Sequence, residues 1–231
     1  GWKDYARFNN IYRDFDGFFD GNPGAIAKAH QEEWFKKFKK TLLEYADQIY
    51  ATLPKKNANE NDFRVVQGPY LLTLNTYMRI TDPRDELKAR VRFRIGEFYA
   101  NLKDWDKAQA AFTDVYQAKL FVVKEPELRD QARLRAMTAR YDAFKEKGII
   151  PQDLKAVKLQ SPKKKLPGDV VEWIKWVDEV AAQKTSQPEV MDKLLFEANR
   201  VVYAHGDVEL AYRRMLSYVG TRPNSKLTPA V

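Results

Sequence analysis

Residues 95–112 read IGEFYANLKDWDKAQAAF, and this stretch decides the fold class. Its apolar residues recur every three or four positions on both sides of a central Leu-Lys-Asp segment, which is typical of two consecutive amphipathic helices. Gly96 on the first helix and Ala108 on the second are small enough to let two antiparallel helices approach closely. The large side chains that fill the space beside this contact are Tyr99, Trp105 and Phe112.

The segment that leads into this hairpin carries two overlapping patterns. Val91, Phe93 and Ile95 alternate with arginines, which on its own is typical of a strand. Helical spacing is kept by the longer series Leu87, Val91, Ile95 and Phe98. Because the alternation stops after Ile95 while the helical spacing continues, we predict a helix here.

Helical spacing continues along most of the chain and predicts an all-α fold. Breakers at residues 20–24, 54 and 82–83 separate three N-terminal helices, and the third of these is expected to begin at Pro69. Further helices are predicted at residues 106–121, 127–147, 170–184, 188–204 and 208–219.

Local signals predict how several of these helices begin and end. The pairs Asp169 with Glu172 and Ser186 with Glu189 have the spacing of capping boxes, in which each side chain satisfies an amide at the helix start. The glycines Gly148 and Gly206 are placed where a left-handed residue would end a helix, and His205 is expected to cap the same helix end as Gly206.

A second stretch repeats the hairpin pattern near the end of the sequence. Ala211 stands where Ala108 stood, and Gly206-Asp207 occupies the turn. Asn199 replaces the small glycine of the first helix, and Val208 replaces the aromatic residue after the turn. The remaining matched positions are Leu195, Ala198, Val202, Met215 and Pro223.

The two stretches resemble the tetratricopeptide repeat, a helical hairpin with a period of roughly 34 residues. The resemblance implies antiparallel hairpins stacked as a right-handed superhelix, because one hairpin cannot bury both of its apolar faces alone. It also implies a binding scaffold of the kind found in bacterial envelope proteins, with the first helix of each hairpin lining a concave groove. The groove residues implied in this sequence are Arg90, Phe93, Glu97, Asn101, Lys193, Phe196, Arg200 and Tyr203.

The expected use of such a groove is to hold a peptide or a partner protein without catalysis. Because the implied groove residues mix basic and aromatic side chains, an acidic or C-terminal peptide is the expected ligand. The expected organisation is N-terminal hairpins at residues 1–81, a repeat with its following helix at 82–160, a linker at 161–168 and a three-helix unit at 169–231.

The composition limits the kinds of partner, chemical site and location that fit this sequence. The net charge of +8, from 40 Lys and Arg against 32 Asp and Glu, favours acidic partners or nucleic acid. The absence of cysteine excludes disulfides, thiolate zinc sites and cysteine nucleophiles, and it suits the periplasm or cell envelope somewhat better than the cytoplasm. No window reaches the roughly 18 apolar residues of a membrane span, so none is expected.

Catalytic and metal motifs are weak. His30 and His205 are the only histidines, and neither has a second ligand at metal spacing. Residues 14–22 carry several aspartates, but their spacing does not supply the ligands of a calcium loop. We therefore expect neither cofactor nor metal and no enzymatic activity. Two alternatives stay open, a nucleic-acid-binding repeat protein and an all-α enzyme that cleaves cell-wall glycan.

Overall fold

A computed structural model describes residues 33–150 and 164–228 of the chain. These residues form eight α-helices and no strand, which confirms the predicted all-α fold. The helices are α1 (Glu33–Ala51), α2 (Glu60–Ile80), α3 (Glu86–Asn101), α4 (Trp105–Gln117), α5 (Pro126–Glu146), α6 (Gly168–Ala181), α7 (Pro188–Ala204) and α8 (Val208–Thr221).

The helices pack mainly against their neighbours in sequence. The described residues up to 124 form one compact unit, in which α1 packs on α2, α2 on α3 and α3 on α4. The described residues from 125 onwards form a second unit, in which α5 packs on α6, α6 on α7 and α7 on α8. The division of the chain expected at residues 81 and 161–168 stays a prediction, and part of the expected linker lies outside the described residues.

Each unit has its own apolar core. In the first unit, Tyr70 of α2 stacks on Phe98 of α3 with ring centroids 4.5 Å apart. In the second unit, the buried Trp173 stacks on Tyr141 and donates its indole N–H to the Met137 carbonyl at 3.0 Å. Trp173 is therefore a core residue of the second unit.

The start of α2 differs from the prediction. The helix begins at Glu60 rather than near Pro69, because Asn59 forms a capping box with Asp62 that satisfies the first amides of the helix. Pro69 lies inside α2, where its carbonyl still accepts a hydrogen bond of 2.7 Å from the Thr73 hydroxyl. The polar segment between Pro54 and Glu60 thus contains the signal that starts the helix.

The capping boxes predicted for α6 and α7 are absent. Pro167 and Gln187 are the N-cap residues of these helices, and neither makes a side-chain capping bond. The amide and hydroxyl of Ser186 instead donate to the Asp130 carboxylate of α5 at 2.6 and 2.7 Å. A residue of another helix therefore holds the segment that leads into α7.

The predicted helix ends are confirmed. Gly148 and Gly206 have left-handed φ angles of 67° and 78° directly after their helices. His205 is the C-cap of α7, and its Nδ1 lies 2.9 Å from the Val201 carbonyl oxygen. Within residues 33–150 and 164–228, no helix has both the length and the apolar character that crossing a membrane requires.

Candidate protein-binding surface

Two hairpins of the molecule match each other closely. A shift of 103 residues carries α3 onto residues 189–204 and α4 onto 208–220, within one residue of the bounds of α7 and α8. In both turns a left-handed residue, Lys103 or Gly206, precedes the N-cap aspartate of the second helix. Asp104 accepts from the Lys107 amide, and Asp207 from the Leu210 amide. The second stretch identified in the sequence therefore forms the same hairpin as the first.

The close contact predicted for the first hairpin is present. Gly96 is buried, and a Cβ atom built on it would lie 2.8 Å from Cε1 of the Phe112 ring. Ala108, the other small residue of the contact, is fully buried. A side chain at position 96 is thus excluded by the packing of α3 on α4.

The four site residues predicted on α3 are held by their own hairpin to different degrees. The half-buried Phe93 makes an edge contact with Phe112, with centroids 5.2 Å apart. The exposed Asn101 donates from its side-chain amide back to the Glu97 carbonyl at 3.0 Å. Arg90 is exposed and Glu97 is half-buried. A role for these four residues in partner binding stays a prediction.

Three of the four site residues predicted on α7 line one open groove between α7 and α8, with a volume of about 500 Å³. They are Phe196, Arg200 and Tyr203, whereas Lys193 is exposed outside the groove lining. The opposite wall comes from α8, which the sequence reasoning did not assign to a site. Its lining residues are Val208, Ala211, Tyr212, Met215, Leu216 and Val219.

The wall formed by α8 exposes large apolar side chains. Val208, Tyr212 and Leu216 are 41, 63 and 54% exposed, and their spacing of four residues places them in one row along the helix. Contiguous exposed apolar residues of this kind mark interaction surfaces in soluble proteins. The same spacing of four is present in the sequence at positions 208, 212 and 216.

The charged groups beside this α7–α8 groove are paired. Arg200 donates from Nη1 to Oε1 of Glu197 at 3.0 Å, and its guanidinium lies 5.8 Å from the centroid of the Phe196 ring. Arg213, on the exposed side of α8, is paired with Glu209 at 2.7 Å. The groove is therefore largely apolar, with one guanidinium in its lining.

Glu197 also connects α7 to α5. Its Oε2 accepts a hydrogen bond of 2.7 Å from the Tyr141 hydroxyl. Burial raises the pKa of Tyr141, and the hydrogen bond to the Glu197 carboxylate raises it further. The tyrosine is therefore a neutral hydroxyl donor at neutral pH.

A polar cluster joins α6, α7 and α8 beside a second open cavity of about 550 Å³. The Arg214 guanidinium binds both carboxylate oxygens of Asp178 at 2.6 and 2.7 Å, and its Nε donates to Oδ1 of Asn199 at 2.8 Å. In the matched hairpin, positions 96 and 111 are a buried glycine and a buried alanine. The polar cluster thus joins the helices at positions where the α3–α4 hairpin has small, buried, apolar residues.

The histidines, the aspartate-rich segment and the basic segment were the weaker candidate sites in the sequence. His205 caps a helix, while His30 and the aspartate-rich residues 14–22 lie outside the described part of the chain. Within the described ranges, no group of three or more His, Cys, Asp and Glu side chains is arranged to hold a metal ion. Lys164 and Lys165 of the basic segment are exposed.

Comparison with known proteins gives no relative. No protein-family model, no curated protein and no solved structure matches this chain.

Proposed function

We propose that this protein is a non-catalytic interaction module that holds a helix of a partner protein in the α7–α8 groove. The observation that carries the proposal is the row of exposed apolar residues on α8 opposite Phe196 and Tyr203 of α7. A groove between two helices that is apolar along its length suits an amphipathic helix, whose apolar face supplies anchors every three or four residues. Stacking of the hairpins as a tetratricopeptide-like superhelix, with a role in a cell-envelope assembly, belongs to the same proposal.

The charges favour a protein partner over nucleic acid. Nucleic acids are held by cations that contact successive phosphates. Arg200 is the one cation that the described residues contribute to the lining of the α7–α8 groove, and a single cation cannot contact successive phosphates. Arg213, outside the lining, is paired with Glu209. Apolar contact therefore supplies most of the binding free energy that this surface can offer.

The test places a charge in the α7–α8 groove and asks whether the partner is lost. Leu216→Glu introduces a carboxylate into the apolar row, so we expect recovery of the partner protein from native cells to fall at least about tenfold, since an unpaired charge would be desolvated in the complex. The matched control is Leu120→Glu, because Leu120 is 62% exposed in the other unit and lies outside the groove.

A photo-crosslinking amino acid at position 212 identifies what occupies the groove. The proposal expects crosslinks to a protein in the wild-type background and in Leu120→Glu, and their loss in Leu216→Glu. Equal crosslinking in all three backgrounds would place the binding surface elsewhere. Crosslinks to nucleic acid would replace the proposal with its alternative.

A further inference from the structure

The second unit contains a helix already seated on a helical hairpin, and this arrangement defines what the α7–α8 groove can accept. Helix α7 packs against both α5 and α6. Its buried residues belong to the same apolar core as those of α5 and α6, and they recur at helical spacing with a small residue in the middle. They are Met191, Leu194, Ala198, Val201 and Val202.

Helices α5 and α7 correspond to each other from their first residues. Both begin with a proline in the first turn, Pro126 and Pro188, and each carries a tyrosine 15 residues later, Tyr141 and Tyr203. The Tyr141 hydroxyl is directed at the helix that covers α5, where it donates to Glu197. Tyr203 lines the α7–α8 groove, and its hydroxyl makes no hydrogen bond within the described residues.

The residue three positions before each tyrosine differs between the two helices. On α5 it is Thr138, whose hydroxyl donates back to the Leu134 carbonyl of its own helix at 2.9 Å. On α7 it is Arg200, which lies on the same helix face as Tyr203 and lines the groove. A guanidinium has five N–H donors, and the ion pair with Glu197 uses one terminal nitrogen of Arg200. A carboxylate in the α7–α8 groove can therefore be bound by both a hydroxyl and a guanidinium. Glu197, by comparison, is bound from α5 through the Tyr141 hydroxyl.

We infer that the α7–α8 groove takes an amphipathic helix that carries a glutamate or aspartate on its apolar face, with the carboxylate bound by the Tyr203 hydroxyl and the Arg200 guanidinium. The contact repeats the one that Glu197 makes with Tyr141, with a cation added. This inference rests on the proposed function and adds the chemistry of the partner to it.

The test uses the full chain and a displayed library of helical peptides. The library is built on the 17 residues of α7, with the position of Glu197 fully randomised and the exposed positions varied. We expect selection on the wild-type protein to enrich Glu and Asp at that position. The best peptide should bind at least about tenfold more tightly than its amide counterpart (Glu→Gln or Asp→Asn), because a hydrogen bond to a charged group contributes roughly that factor.

The variant Tyr203→Phe separates a specific hydrogen bond from general attraction to a basic protein. Removal of the hydroxyl should reduce the preference for carboxylate over amide to less than about threefold, as one donor is lost. The matched control is Tyr212→Phe, because Tyr212 lines the same groove from α8 and should leave the preference unchanged.

The outcomes distinguish this inference from the proposed function. Peptides that bind in a manner abolished by Leu216→Glu, but show no preference for an acidic residue, overturn the inference and leave the proposed function standing. A carboxylate preference that is the same in Tyr203→Phe also overturns it. A library that yields no binder sensitive to Leu216→Glu overturns both.

Discussion

The α3–α4 and α7–α8 hairpins have matching helix bounds and turns but differ in how their two helices meet. In α3–α4, the ring of Phe112 lies against the backbone of Gly96, and the helices pack closely. In α7–α8 the corresponding glycine position is Asn199, and a polar cluster with Arg214 replaces the apolar contact. The common frame therefore comes from the turn and the caps, whereas the residue at one crossing point decides how tightly the pair closes.

The two hairpins also start differently. Asp85 caps α3 from the adjacent position and accepts a hydrogen bond from the Leu87 amide at 3.0 Å. Its carboxylate also accepts hydrogen bonds from the Tyr77 hydroxyl and the Lys39 ammonium group. Helix α7 has no such local cap, and Asp130 of α5 holds the residues before it. One start is encoded in neighbouring residues, and the other depends on a contact across the unit.

The largest effect is expected at the crossing of α3 and α4. Gly96→Leu should lower the free energy of unfolding by at least about 2 kcal/mol, because its Cβ would overlap the Phe112 ring and force the helices apart. Urea denaturation followed by circular dichroism measures the change. The matched control is Gly220→Ala in α8, where an added Cβ meets nothing within 4 Å; it should stabilise by no more than about 1 kcal/mol. Unfolding of Gly96→Leu at the wild-type urea concentration would contradict the close contact.

The next effect concerns pH and the start of α7. Burial raises the pKa of Asp130, but hydrogen bonds from Ser186, Thr185 and Arg133 outweigh it and lower the pKa to about 2. Because the folded pKa lies below the unfolded one, this stabilisation is present above about pH 4 and is lost as the pH falls towards 2. It amounts to about 2 kcal/mol.

Asp130→Asn tests this linkage. The variant should be less stable than wild type by about 2 kcal/mol at pH 7, and the difference should shrink as the pH falls from 4 to 2. Unfolding followed by tryptophan fluorescence, to which Trp173 in the core of the same unit contributes, reports the change. A stability difference that is constant between pH 7 and pH 2 would show that the carboxylate charge is not the stabilising feature.

A smaller effect is expected in the polar cluster that distinguishes α7–α8. Asp178→Ala leaves Arg214 without its bidentate partner and should destabilise by about 1 kcal/mol, since the pair is partly exposed. The exposed neighbour Glu179 on α6 provides the control, and Glu179→Ala should stay within about 0.5 kcal/mol of wild type. Equal values for the two variants would mean that the cluster does not hold the hairpin together.

The smallest effect on stability is expected in the α7–α8 groove itself. Leu216→Glu should change the free energy of unfolding by no more than about 0.5 kcal/mol, because Leu216 is exposed in the folded chain. Leu194→Ala in the core beneath should cost about 2–5 kcal/mol in the same assay. A large loss of stability in Leu216→Glu would show that the row on α8 is structural.

The parts of the fold that could be predicted from sequence are those set by neighbouring residues. The all-α class, the contact of Gly96 with the second helix, and the left-handed Gly148 and Gly206 follow from spacing and backbone preference. The capping of α7 could not be predicted, because Asp130 lies more than 50 residues away from Ser186 in sequence. The start of α2 was wrong for a different reason, since its capping signal lies in a segment rich in asparagine.

Sequence reasoning pointed to one of the two walls of the α7–α8 groove, and a role of these residues in partner binding stays a prediction. The repeat resemblance placed Phe196, Arg200 and Tyr203 on one surface, which the structure brings together in the α7–α8 groove. It gave no sign that Lys193 lies outside the groove, or that Glu197 pairs with Arg200 and Tyr141. Such pairings depend on how side chains of separate helices are directed, and residue spacing in one helix does not contain that information.

The open apolar row on α8 has a consequence for how the isolated chain behaves in concentrated solution. Copies of a protein with a net charge of +8 repel one another, and this repulsion opposes sticking through Tyr212 and Leu216. Salt shortens the reach of the repulsion from about 8 Å at physiological ionic strength to about 3 Å at 1 M, while apolar attraction persists. The unoccupied chain should therefore stay monodisperse in dilute buffer and cluster reversibly in concentrated salt, and a bound partner helix should prevent that clustering.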